Sequence, residues 1–466
     1  MRLLLLFLFS CTSSFAQQLI VSPYIQPGNA PSLNKEEKVI IWHTDSVAAT
    51  FKVEYGLKRS FDKTANVNAT PLQLGTSKTI LYRAVLPDLL FDKSYNYRVS
   101  LNGKQVGQSL FSTRSKKAAS KFVVFGDCGV GNAAQAQIAY QSFLEKPDFV
   151  LITGDNVYNR GQVSEYLGRY FPYYNSAAAS PQTGAPLMGS VPFYLAIGNH
   201  DVGGSNLTTY PDGLAYYYYF DLPLNAPAFP RTVKPIGTPA RIDSFKKAAE
   251  PRFPNMANYS FDYGNVHILC LDANPYVHPF DPELVSWIEA DLKNSNATWK
   301  LVAFHHPGFN SSNAHYNAQW MRALSPVFEK SKVDMVLNGH VHNYQRSHPL
   351  KFEPKRDAAG NAVIDTLGRV DGKFTLDMKF DGKKNTLPDG IVYIVTGAGG
   401  AGLYDTVISN KPELWVHEPT TNWVPFTAKL ISNVHSYSVI ETKNNRLILR
   451  QFDVNRNLLD KIEINK

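Results

Sequence analysis

Five times after residue 121 an apolar, β-branched run ends abruptly in a residue able to hold a metal ion. KFVVFGD closes on Asp127, DFVLITGD on Asp155, PFYLAIGNHD on Asn199 and His200, KLVAFHH on His305, and DMVLNGH on His340. Short apolar runs of this kind read as buried strands. Helix-length segments such as NAAQAQIAYQSFLEK and PELVSWIEADLKN lie between several of them. Strand alternating with helix specifies an α/β core with covered sheet faces. In such a sheet ligands bind beyond the carboxyl ends of the strands, so the chain brings Asp, Asn and His to one edge. The preceding glycines, Gly126, Gly154, Gly198 and Gly339, are expected to turn the backbone sharply there. Singly, each motif is ordinary loop. Five in order are a site.

The segment before this region has another rhythm. KVIIWHTD, ATFKVEYG, TILYRAVLPDL, KSYNYRVSLNG and QSLFSTR are strand-like and are punctuated by Gly, Asn, Asp and Pro. That spacing predicts an all-β sandwich over residues 17–115, with Trp42, Tyr95 and Tyr97 in its core. Ser115–Ser120 reads as a polar linker, and residues 116–466 as the α/β domain. Beyond residue 390, IVYIVTGAGG, SYSVIET and RLILRQFD are expected to complete that domain's second sheet. The stretch 170–260, with its Tyr216–Tyr219 run, reads as long loops.

Arg2, the LLLLFLF run and Ser14/Ala16 before Gln17 read as an export signal over residues 1–16. A second reading makes Cys11 a lipid-anchored cysteine. No later run is long enough for a transmembrane helix. The 44% hydrophobic content allows a sizeable core and excludes a disordered or collagenous chain. Three cysteines are too few for a disulfide scaffold, and Cys128 and Cys270 read as buried thiols. The net charge of +8 would suit an anionic substrate or surface, but reads first as dispersed basic surface. It comes without a Lys/Arg block, so no nucleic-acid binding is expected. None of these features specifies an oligomeric state.

The ordered motifs GDCG, GDNVY, GNHD, VAFH and GHVH resemble those of the calcineurin-like metallophosphoesterases, and among them the purple acid phosphatases. Tyr158 is the discriminating residue. The resemblance implies a two-sheet βαβ catalytic domain flanked by helices, preceded by a fibronectin-like sandwich as in the plant-like members. It further implies a dinuclear metal centre. Asp155 would bridge the ions, with Asp127, Tyr158 and His342 on one and Asn199, His305 and His340 on the other. Two carboxylates and a phenolate suit iron(III); the amide and imidazoles suit divalent zinc, iron or manganese. The implied reaction is hydrolysis of a small phosphorylated substrate, a phosphomonoester, by attack of a metal-bound hydroxide. His200 and His315 are the implied substrate-facing histidines. Plant-like members often carry a second histidine before His315. Here that residue is Ala314, which implies one phosphate contact fewer.

Two other functions fit the same residues. One is a phosphodiesterase or nucleotide hydrolase using the same metals. The other is a binding or adhesion protein with an inactive site. His306 reads as an orienting histidine, Asp201 as a loop organiser and His267 as structural. TGAGGAG lacks the Lys-Ser/Thr of a nucleotide-binding loop and reads as a turn.

Overall fold

The computed structural model describes residues 17–419 and 423–466. The expected export signal over residues 1–16, Cys11 included, lies outside them. Among the described residues, no helix is long and apolar enough to cross a membrane.

Two large sheets face each other across one core. The first has six strands, in the order Phe193–Leu195, Phe149–Ile152, Ala119–Phe125, Ser436–Lys443, Arg446–Asp453 and Leu458–Asn465. Its first three strands are parallel and the rest antiparallel. The second has seven strands, with a parallel centre of Val266–Leu271, Trp299–Phe304, Met335–Asn338 and Val392–Thr396. Alternate side chains of a strand face opposite ways, and the central strands bury both sets. Ile268, Cys270, Leu301 and Ala303 meet Phe122, Val124 and Ile440 of the first sheet. Leu269, Leu271, Val302 and Phe304 meet Leu284, Ile288 and Leu292 of the helix Pro282–Asn294. That helix starts where Asp281 accepts from the Glu283 amide and Pro282 takes the first turn, and it buries one i, i+4, i+8 stripe.

Two expectations need correction. The C-terminal strands are split: Val392–Thr396 joins the seven-stranded sheet, whereas the last three strands extend the six-stranded one. The 170–260 stretch is more than loop. It contains the helix Pro239–Ala249, and Tyr216–Tyr219 is a fully packed helical turn in the main core. A run of four tyrosines has no period to read, so tertiary burial decides its place.

Residues 19–112 form two four-stranded antiparallel sheets, one of Leu19–Gln26, Lys38–Thr44, Ser77–Leu86 and Val67–Leu74, the other of Lys63–Ala65, Phe51–Leu57, Ser94–Leu101 and Lys104–Ser112. Trp42 stacks on Tyr82 between them, ring centroids 5.4 Å apart. The first of these sheets is buried on both faces. Ile40, Trp42 and Tyr82 fill the sandwich, while Tyr24, Val39, Ile41 and Leu81 pack into the core of the α/β region. Polar contacts cross the same boundary: Tyr24 Oη donates to the Tyr219 carbonyl at 2.7 Å, and Arg83 pairs with Asp221 at 2.7 Å. The expected linker is pinned, with Ser115 Oγ donating to Asp92 at 2.6 Å and Ser120 bonded to Thr442 at 2.9 Å.

Candidate metal centre

The strand ends of both sheets converge. Asp127 follows Ala119–Phe125, Asp155 follows Phe149–Ile152, and Asn199 and His200 lie beyond Phe193–Leu195 in the first sheet. His305 follows Trp299–Phe304, and His340 and His342 follow Met335–Asn338 in the second. The expectation about the glycines is only partly met. Of the four, only Gly154 has a positive φ; the left-handed residues are the functional ones, Asp127 (57°), Asp155 (50°) and His340 (69°). Such backbone costs roughly 1–3 kcal/mol per residue and persists only where the surroundings enforce it. Gly198 and Gly339 serve close approach instead. A Cβ on Gly198 would lie 2.2 Å from the Asp155 amide nitrogen, and one on Gly339 would lie 2.6 Å from Asp127 Oδ2.

The donors form two adjoining groups. In the first, Tyr158 Oη is 3.1 Å from Asp127 Oδ1 and 3.1 Å from His342 Nε2, which is 3.4 Å from Asp127 Oδ1. In the second, His305 Nε2 is 3.2 Å from Asp155 Oδ2 and 3.2 Å from Asn199 Oδ1. Ligand atoms of Asp155, His305 and His340 all lie within 4.8 Å of one another. Metal–ligand bonds of about 2.0–2.2 Å place neighbouring ligand atoms roughly 2.9–3.5 Å apart, so both groups fit an ion.

Their orientation is fixed from behind. His305 Nδ1–H donates to the Thr153 carbonyl at 2.9 Å, and His342 Nδ1–H to the Gly402 carbonyl at 2.6 Å. These bonds select the tautomer that turns each Nε2 inward, a recurrent device of metal-binding histidines. The His340 amide donates to Asp127 Oδ2 at 2.9 Å, and the His200 amide to Asp155 Oδ1 at 2.8 Å.

The electrostatics are those of crowded, buried groups. Burial would drive the proton off His305, but the Asp155 and Asp127 carboxylates push its pKa up to about 9. Burial raises the Asp155 carboxyl, and the cationic His305 beside it outweighs that and holds it low. Burial, then Asp127, push the Tyr158 phenol far up. It therefore stays protonated and donates to Asp127 unless a cation joins the group.

Of the substrate-facing candidates, His200 donates from Nδ1 to the Asn159 carbonyl at 2.8 Å, and its ring lies 4.3 Å from that of Tyr158. Its Nε2 is 3.9 Å from Asp155 Oδ2. The His315 ring lies 4.0 Å from that of His340. Its loop is held by Asp405, which accepts from the Ala314 amide at 3.2 Å and from Ser312. Asp201 accepts from the amides of Gly198 (2.8 Å) and Asn156 and so ties two site loops together. Cys128 and Cys270 are buried free thiols.

The sequence reading missed Tyr404, which stacks on His342 with centroids 4.1 Å apart, and the Thr153 and Gly402 carbonyls. The available signal was TGAGGAGLY directly after a strand. The turn it forms wraps the first strand end: Gly399 N–H donates to the Gly126 carbonyl and Ala401 N–H to the Asp127 carbonyl.

The two-sheet fold matches that of the metallophosphoesterases. The family model of the calcineurin-like phosphoesterases matches residues 120–344, and the chain carries that domain. Its homologues are purple acid phosphatases. It is 25% identical over 379 residues to purple acid phosphatase 21 of Arabidopsis thaliana, covering 78% of this chain and 76% of the relative. It is 30% identical over 162 residues to purple acid phosphatase 18 of the same plant, covering 34% of this chain and 35% of the relative. Its fold matches purple acid phosphatase PPD1 from yellow lupin (Lupinus luteus) seeds with a TM-score of 0.62 at 17% identity, covering 95% of this chain and 74% of the other. The chain is thus a purple-acid-phosphatase-like phosphoesterase hydrolase.

Proposed function

We propose that this protein is an exported acid phosphatase that hydrolyses phosphomonoesters at a dinuclear centre of iron(III) and divalent zinc, iron or manganese. Asp127, Tyr158 and His342 would hold one ion, Asn199, His305 and His340 the other, with Asp155 shared. A fibronectin-like domain over 17–115 precedes the catalytic domain over 116–466, and residues 1–16 direct export. The observation that carries the reading is the pair of inward-facing donor groups, each with a histidine locked from behind by a carbonyl.

When bound, the two ions supply Lewis acidity toward the phosphoryl oxygens and an activated water. The chain's own residues do the rest. Asp127 and Asp155 balance the cationic charge, and the Thr153 and Gly402 carbonyls keep His305 and His342 aimed. As the water oxygen bonds phosphorus, the ester P–O bond breaks and the departing alkoxide takes up a proton. His200 supplies it from Nε2, since its Nδ1 is committed to Asn159. His315 hydrogen-bonds a phosphoryl oxygen.

Protein reconstituted with iron should be violet, contain about one iron and one divalent ion per chain, and hydrolyse an unactivated phosphomonoester at acid pH. Tyr158→Phe should lose most of the visible absorption and keep the fold. A colourless wild type with two divalent ions would reject the iron assignment. A diester turned over far faster than its monoester would reject the substrate class.

A further inference from the structure

A cleft of about 680 Å³ opens beside the donor cluster, with Asn199, His340 and His315 at its base. Its walls combine the apolar Pro275, Ala318, Trp320, Leu367 and Val416 with the uncharged polar Asn313, Tyr316 and Asn317. Trp320 is held as a fixed plate. Its indole N–H is spent on the Ala273 carbonyl at 3.0 Å, and the His306 ring lies 5.0 Å away. The Asp365–Arg369 loop closes against it; a Cβ on Gly368 would lie 3.1 Å from the Trp320 ring. Leu367, on that loop, remains 57% exposed at the cleft.

Charge is kept out. Among the described residues, no lysine, arginine or carboxylate lines the cleft, although the chain carries a net charge of +8. Two guanidiniums close in sequence to its walls are engaged elsewhere: Arg369 pairs with Asp365 at 2.6 Å, and Arg322 with Glu418 at 2.8 Å. A polyanionic ester would set its extra phosphates against a wall without counter-charges, and leaving a charge unpaired is costly. A flat uncharged ring would meet Trp320, Tyr316 and the aliphatic Pro275, Leu367 and Val416, with only uncharged amides beside them.

We propose that this cleft is a leaving-group subsite for an uncharged aromatic group, so that aryl phosphates are preferred over inositol polyphosphates and nucleotides. The proposal rests on the phosphomonoesterase reading. Its test compares kcat/KM for 2-naphthyl phosphate, glycerol 2-phosphate and inositol hexakisphosphate in the wild type, Trp320→Ala and Leu367→Lys. Intrinsic reactivity of each ester is common to all three proteins, so changes in the ratios report the cleft alone. Trp320→Ala should lower the naphthyl-to-glycerol ratio about 5- to 10-fold, the scale of one aromatic contact. Leu367→Lys should raise the inositol-to-naphthyl ratio several-fold. Unchanged ratios, or a wild type that favours inositol hexakisphosphate, would overturn the proposal. Calorimetry separates it from the catalytic reading. 2-Naphthylphosphonate should bind the metal-loaded wild type more tightly than methylphosphonate, and Trp320→Ala should erase that difference. If the aryl advantage in binding holds while no monoester is hydrolysed, the subsite stands and the phosphatase reading falls.

Discussion

Two clusters of buried charge occupy opposite roles in this molecule. At the boundary between the N-terminal sheets and the α/β region, Glu36 accepts from Arg114 Nε at 2.5 Å and also pairs with Lys38. The other Arg114 donors reach the carbonyls of Pro31, Ser32, Lys35 and Asp262. Each charge is answered within the cluster. The strand-end cluster is different. Its donors face one another, three of its residues hold left-handed backbone, and the neighbouring His306 Nδ1 is buried without a partner. A self-satisfied buried charge holds structure in place, whereas an under-compensated one is built to receive something. Removing one partner should therefore cost stability in the first case and ligand binding in the second.

Asp155→Asn should show the largest effect. Replacing an anionic oxygen with an amide nitrogen should empty the centre of metal and lower turnover on the order of 10³-fold or more. Full metal occupancy by elemental analysis would remove Asp155 from its shared position. Arg114→Ala should do the converse. It leaves Glu36 to Lys38 alone and strips four carbonyls of their donor, and should cost about 3–5 kcal/mol by urea unfolding, with metal content and turnover of the folded protein unaltered. A loss below about 1 kcal/mol would show that the boundary cluster is not an essential brace.

The smallest effect concerns His267, which stands between the two clusters in kind. It lies 2.8 Å from both Asp262 and Asp291, and Asp262 also offers its carbonyl to Arg114. Burial opposes its charge, but the two carboxylates push its pKa up to about 9. The folded value exceeds the unfolded one, so the contribution is full below about pH 6.5 and is lost as the pH rises through about 9. It amounts to roughly 3 kcal/mol. Wild-type stability should fall across that window, and His267→Gln should flatten the slope. An identical slope in the variant would assign the pH dependence elsewhere.

The donors were legible in the sequence because each ends an apolar run, and a strand that ends on a glycine delivers its next residue to a shared edge. Asp127, Asp155, Asn199 and His340 follow that rule, and His305 ends its run directly after Phe304. Tyr404 and Trp320 do not: one follows a glycine turn and the other sits in a 3₁₀ segment, Trp320–Leu324, so their places depend on how loops fold back. The carbonyls that fix His305 and His342 were equally hidden, since backbone acceptors have no letter of their own. The N-terminal strands were readable as a sandwich. That one of its sheets is buried twice was signalled only by KVIIWHT, whose seven residues are all buried and alternate in no obvious way.

That double burial reaches beyond stability. Cutting the chain near residue 115 would not release two independent pieces. It would leave Tyr24, Val39, Ile41 and Leu81 as a greasy strip on one fragment and an equal bare patch on the other, each prone to aggregate. The seam is a weld, and anyone trimming this protein to its catalytic half should carry the front sheet along.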